Sequence, residues 1–197
     1  MAGVREAQPA FFRELREICD ELGIILIFDE VQTGIGRTGN WFFAASDAAD
    51  GVEPEIITLA KSLGSGVPVG ACLVSEKVAK NIKVNDLGTT FGGGMLAMAA
   101  VLSTLEAIED GGMIANIKLV EQHLRETLDG VPGIVAVHGK GGLIGIEFEE
   151  AVGHIHAKLL ANNIITGTSS DPRVLRLLPP LCVSVSEIDI LVEVLSR

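Results

Sequence analysis

Two short runs of β-branched and aliphatic residues, IILIF at residues 24–28 and IITLA at 56–60, constrain the fold most, because each ends abruptly in charge. Asp29 and Glu30 follow the first run and Lys61 follows the second. Neither run alternates apolar with polar residues, so each is predicted to be a strand buried on both faces, as in a parallel sheet covered by helices. In such sheets ligands bind in the crevice beyond the carboxyl ends of the strands. An aspartate and a lysine at two such ends can hold opposite sides of one small heterocycle.

The spacing elsewhere completes an α/β pattern. Phe12, Leu15, Ile18, Cys19 and Leu22 recur at helical intervals over Pro9 to Leu22, and Gly23 is placed to end that helix. VQTGIGRTGNWFF reads as loop and ACLVS as a third strand, and MLAMAAVLSTLEAIE forms a long helix after Gly92-Gly93-Gly94. Beyond Gly111-Gly112 come a further helix to about Leu128, the strands GIVAVHG and GGLIGIEFEE, a helix through AKLLANN, the strand-like IITG and VLRLL, and a last helix from about Ser186. The expected division is residues 1–110 as part of a larger sheet domain and 111–197 as a small α+β domain.

A formal charge of −11 over 197 residues disfavours nucleic acid and anionic membrane as partners, because their phosphates repel such a surface. Three separated cysteines without ligand spacing fit a reducing cytoplasm, and His154 and His156, two residues apart, would not share a helix face to bind metal. The start MAGVREAQPA has no apolar core of a signal peptide, and no apolar stretch reaches membrane-spanning length.

GIGRTG, Gly34 to Gly39, satisfies G-x-G-x-x-G, yet DEVQT separates it from the strand and NWFF comes after it where a Rossmann turn would open a helix. A glycine loop is the better reading. Asp29 alone could equally be a helix cap, and Lys61 a solvated surface residue. Their surroundings change that. DEVQTGIGRTG, AKSLGSGVPVGA, GTTFGGGMLA and VLRLLPPL, in that order, resemble the class III pyridoxal-phosphate-dependent aminotransferases, and within them the acetylornithine and succinylornithine aminotransferase branch.

The resemblance implies a fold-type-I α/β chain, with part of a large, mainly parallel sheet domain and a small C-terminal domain. It implies pyridoxal 5'-phosphate as cofactor. Asp29 would partner the pyridine nitrogen, keeping the ring an electron sink; Val31 would pack on the ring face, and Gln32 would reach its phenolic oxygen. Lys61 would bond covalently to the cofactor aldehyde and then shuttle the substrate α-proton. Thr90, directly before Phe91, would bind the cofactor phosphate of a neighbouring subunit, which implies a homodimer. Arg176 would clamp the substrate α-carboxylate with two parallel hydrogen bonds, whereas Arg173 reads as solvated. Cys72, Cys182 and Trp41 read as packing or loop residues.

The chain departs from the family in the phosphate loop, where Leu87, Gly94 and Met95 replace the usual His, Asn and Pro. Losing the proline removes a residue preset for helix entry. The resemblance also covers only the second half of the family, since the earlier phosphate turn, the ring-stacking aromatic residue and a glutamate are missing, and AGVREAQPAFF resembles the family segment just after that glutamate. The expectation is therefore a truncated enzyme, poorly soluble or partner-dependent, with little activity alone. The implied reaction is transfer of an amino group from N-acetylornithine, or a similar ω-substituted amino acid, to 2-oxoglutarate, a step of arginine biosynthesis. Ornithine, 4-aminobutyrate or another ω-amine is the alternative donor, and a non-catalytic fragment the alternative role.

Overall fold

The computed structural model describes residues 3–197, so Met1 and the first residue of the AGVREAQPAFF resemblance, Ala2, lie outside the described residues. The chain divides into two units. The first comprises Ala7–Ile35 and Asn40–Gly111, the second the N-terminal residues up to Glu6 with Gly36–Gly39 and Gly112–Arg197.

In the first unit, helix α1 (Pro9–Leu22) begins on a proline whose missing N–H costs nothing at that position. It stops at Gly23, left-handed at φ 66°, whose N–H returns to the Asp20 carbonyl. Strands β1 (Ile27–Asp29) and β2 (Ile56–Leu59) pair in parallel, and β3 (Ala71–Val74) lies antiparallel on the other side of β2. A short helix α2 (Glu76–Ala79) and the long α3 (Met95–Asp110) come next.

The core of this unit lies on one face of the sheet. Cys19, Leu26, Phe28, Ala49 and Val52 are buried together, and the Phe12 ring meets Phe28 and Phe43 at centroid distances of 5.8 and 5.3 Å. Glu55 ties the pieces from inside: its carboxylate accepts from Arg16 Nη1 at 2.9 Å, the Leu26 N–H at 2.8 Å and Lys77 Nζ at 3.1 Å. Chiefly because of the Arg16 bond, its pKa falls from 4.5 to about 2.

Two expectations need correction. The first run forms a strand only from Ile27, and that strand is not buried on both faces: Phe28 is buried, while Ile27 is 53% exposed. No described element packs on the face carrying Ile27 and Asp29, so the side chains of alternate residues have different surroundings. The α1 stripe is likewise only partly covered, with Phe12, Leu15 and Cys19 packed and Ile18 and Leu22 exposed.

The second unit is an antiparallel sheet with helices. It contains α4 (Met113–Leu128), β4 (Ile134–Lys140), β5 (Leu143–Phe148), α5 (Gly153–Ala161), β6 (Gly167–Thr168), β7 (Val174–Leu177) and α6 (Val185–Ser196), with strand order β4-β5-β7-β6. The IITG segment contributes only its last residue, Gly167, to β6, since Ile164, Ile165 and Thr166 stay outside the ladder. Ile117, Leu124, Ile146, Leu159, Leu175 and Leu191 fill its core from both helices and strands. Ser184 and Glu187 form a reciprocal capping box at the start of α6, and the bonds from Ser184 hold the Glu187 carboxyl below its usual range.

Candidate active site

β1 and β2 end side by side. Asp29 faces Thr58 in the register, and Lys61 lies three residues further along the chain from Thr58, where β2 gives way to a 3-10 turn over Lys61–Gly64. Asp29 is fixed by its own neighbours: its Oδ1 accepts from the Val31 N–H at 3.1 Å and from Thr58 Oγ1 at 3.0 Å. Both bonds fall on the same oxygen, so Oδ2 stays open to a donor on the uncovered face.

Lys61 sits in the left-handed region at φ 48°, a conformation that costs a residue with a Cβ and is held only where the surroundings over-determine it. The turn explains the constraint. A Cβ at Gly64 would stand 2.5 Å from Val69 Cγ1, so Gly64 lets the chain fold back closely, and Ser65 takes a second left-handed step at φ 46°. Lys61 is exposed, and its ammonium makes no hydrogen bond or ion pair among the described residues. A left-handed lysine with an unpaired amine just past the end of β2, and a carboxylate with one unbonded oxygen at the end of the neighbouring β1, are a donor set that fits pyridoxal phosphate: a carbonyl-reactive amine and an acceptor for a protonated ring nitrogen.

The other predicted residues occupy two turns of the first unit and a strand of the second. Val31 and Gln32 come after Asp29 in a turn closed by the Gly34 N–H on the Glu30 carbonyl at 3.0 Å. Thr90 stands in an exposed turn before α3, and its hydroxyl has no hydrogen bond among the described residues. A Cβ at Gly92 would come within 2.1 Å of Thr89 Cγ2, so a side chain there would displace the Thr89 side chain. Gly94 caps α3 with no side-chain bond, leaving its first N–H groups without a side-chain acceptor. Arg176 belongs to the second unit, in β7 between Gly145 and Gly167, with its Nε on the Thr168 carbonyl at 2.6 Å.

GIGRTG opens no helix: it runs through turns and bends to a 3-10 turn at Phe43–Ala45. Its arginine has work of another kind. Arg37 Nη1 donates to the Gly142 carbonyl at 3.2 Å and to the Pro179 carbonyl, and burial lowers the guanidinium pKa. Sequence reasoning missed Arg37, and it missed Glu30, which is buried at 2% exposure. The signal for Glu30 was the two-residue period of the strand, which turns the side chain after Asp29 inward again.

The whole chain, residues 1–197, matches the family described as aminotransferase class III. The chain belongs to the class III aminotransferases. They are the pyridoxal-phosphate-dependent family that its motifs resemble, and its fold is fold type I. Acetylornithine aminotransferase 1 of Bordetella bronchiseptica is 43% identical over 197 residues, covering 98% of this chain and 49% of the relative. The acetylornithine aminotransferase of Archaeoglobus fulgidus is 40% identical over 198 residues, covering 98% and 50%. Among solved structures, the ornithine aminotransferase of Toxoplasma gondii, with pyridoxal phosphate in partial occupancy at its active site, superposes with a TM-score of 0.86 at 30% identity over 98% of this chain and 47% of its own. The acetylornithine aminotransferase of Elizabethkingia anophelis gives 0.83 at 27% identity, over 94% and 48%. This class III chain spans about half the length of the curated relatives it matches.

Proposed function

We propose that this chain carries the lysine-bearing part of the active site of an aminotransferase that moves an amino group from N-acetylornithine, or a similar ω-substituted amino acid, to 2-oxoglutarate. The observation that carries the reading is Lys61: a left-handed lysine with an unpaired amine at the end of the strand hydrogen-bonded to the one that ends in Asp29. The acetylornithine aminotransferases at 43% and 40% identity support the donor. Ornithine is the second reading, supported by the Toxoplasma gondii ornithine aminotransferase at TM-score 0.86.

Bound pyridoxal phosphate supplies an aldehyde for the amine and a protonated ring that withdraws electrons from the substrate α-carbon. Lys61 Nζ would be the amine that holds the cofactor and would also serve as the base that takes the substrate α-proton and returns it at the other end of the exchange. Asp29 Oδ2 would accept the ring N–H and hold the ring protonated, with Thr58 and Val31 fixing its other oxygen. Val31 would pack on the ring and Gln32 would donate to its phenolic oxygen. The Thr90 hydroxyl would bind the phosphate of a neighbouring subunit in a homodimer. Arg176 receives the substrate carboxylate, its Nε anchored on Thr168 so that the guanidinium plane is fixed. A cytoplasmic site of action fits these substrates.

Loading the chain with pyridoxal phosphate should give the yellow absorption of a lysine-bound cofactor, and Lys61→Ala should abolish it. An unchanged band in that variant overturns the assignment of Lys61. Turnover across a panel of N-acetylornithine, ornithine and 4-aminobutyrate decides the donor.

A further inference from the structure

Asp29 and Glu30 are neighbours in the chain, but their carboxyl groups go to opposite sides of the strand end. Asp29 is exposed; Glu30 is 2% exposed. The Glu30 main chain is tied twice, its N–H to the Thr58 carbonyl of β2 at 3.0 Å and its carbonyl to the Gly34 N–H at 3.0 Å. Its side chain is tied three times. Oε2 accepts from the Phe43 N–H at 2.5 Å and from Thr33 Oγ1 at 3.3 Å, and Oε1 accepts from the Ala44 N–H at 2.9 Å. No cation pairs with it among the described residues.

Burying a carboxyl group against neutral donors alone carries a desolvation cost, so its position calls for a return. That return is geometric. The Glu30 carbonyl closes the turn of residues 31–33 on Gly34, and its carboxylate pins the loop's return at residues 43 and 44, so one residue fixes both the exit from β1 and the re-entry of the loop. We propose that Glu30 is a positioning residue for the cofactor site: it fixes the backbone from Asp29 to Gln32 and thereby aims the Asp29 carboxylate and the Gln32 amide. The proposal rests on the reading of Asp29 as partner of the cofactor ring. Glutamine cannot replace it, because the two backbone N–H groups need two acceptors and a glutamine offers one oxygen and one NH2. Aspartate keeps two acceptors but is one methylene shorter.

The test compares the 197-residue chain with Glu30→Gln, Glu30→Asp, Asp29→Asn and Glu55→Gln, the last removing a buried carboxylate of the same unit that does not touch this loop. Four quantities are measured: amide exchange at Phe43 and Ala44 without cofactor, affinity for pyridoxal phosphate, the pH dependence of the bound cofactor's absorption, and the melting temperature. Glu30→Gln should speed exchange at both amides, weaken pyridoxal phosphate roughly tenfold, the effect of one lost buried hydrogen bond, and move the pH profile in the direction that Asp29→Asn moves it. Glu55→Gln should lower the melting temperature and leave the pH profile alone. If Glu30→Gln does not fold, Glu30→Asp should show the same shifts at smaller amplitude.

Loss of melting temperature in the foldable Glu30 variant with affinity and pH profile unchanged overturns the proposal while leaving Asp29 in place. An Asp29→Asn variant with unaltered affinity and absorption instead overturns the reading of Asp29, and the proposal with it.

Discussion

Asp29 bonds its neighbours through one oxygen and leaves the other unbonded among the described residues, and this division is what single-residue geometry adds to the motif. Thr58 Oγ1 and the Val31 N–H both bond Oδ1, so the carboxyl plane is set before any cofactor arrives. Thr58→Val removes the hydroxyl donor and should weaken pyridoxal phosphate roughly fivefold without abolishing the lysine-bound absorption, which titration with cofactor would measure. Glu55 makes a second residue-scale prediction. Its folded pKa, about 2, lies below its ordinary 4.5, so its contribution to stability is complete above about pH 4.5 and is lost as the pH falls towards 2. Urea unfolding should show the chain losing stability across that window. Glu55→Gln should be less stable at pH 7, by roughly 3 kcal/mol for breaking a buried ion pair, and flatter between pH 4.5 and 2.

At the scale of elements, left-handed glycines and caps set where the chain turns. Gly139 in β4 has φ 96°, and a Cβ there would stand 1.9 Å from the Leu143 carbonyl oxygen, so Gly139→Ala must push β4 away from β5. It should cost roughly 3 kcal/mol or more in unfolding free energy, whereas Ser184→Ala, which removes one side of the α6 capping box, should cost about 1 kcal/mol. Helical spacing from Pro9 to Leu22, with Gly23 after it, made α1 legible to the residue, because a 3.6-residue period over 14 residues is a strong local signal. The strands were less legible. A run such as IILIF says how apolar its surroundings can be, but not which face is covered, and the antiparallel direction of β3 depends on pairing partners that no local pattern encodes. The site divides in the same way. Asp29, Lys61 and Gln32 are marked by their motifs, while the anchoring bonds of Glu30 and Arg37 join residues up to 142 positions apart and become visible only in three dimensions.

At the scale of the whole molecule, the chain covers about half the length of its curated relatives, and its first unit leaves one sheet face open. Ile27 and Val74, on that face, are 53% and 38% exposed, and Phe91, Met95 and Leu96 are exposed where α3 begins. Apolar surface of this extent predicts that the 197-residue chain associates with itself or with a partner. Sedimentation over a range of concentrations should show species larger than a monomer, and a monodisperse monomer throughout would contradict the expectation. Narrower than oligomeric state or donor identity is the proposal that Lys61 holds the cofactor. Borohydride treatment of the chain loaded with pyridoxal phosphate, followed by peptide mapping, reads this out, because reduction makes a lysine link permanent. One labelled peptide, modified at Lys61, is expected, with that label lost in Lys61→Ala; label confined to another lysine, or spread evenly over the surface lysines, would overturn the assignment of Lys61.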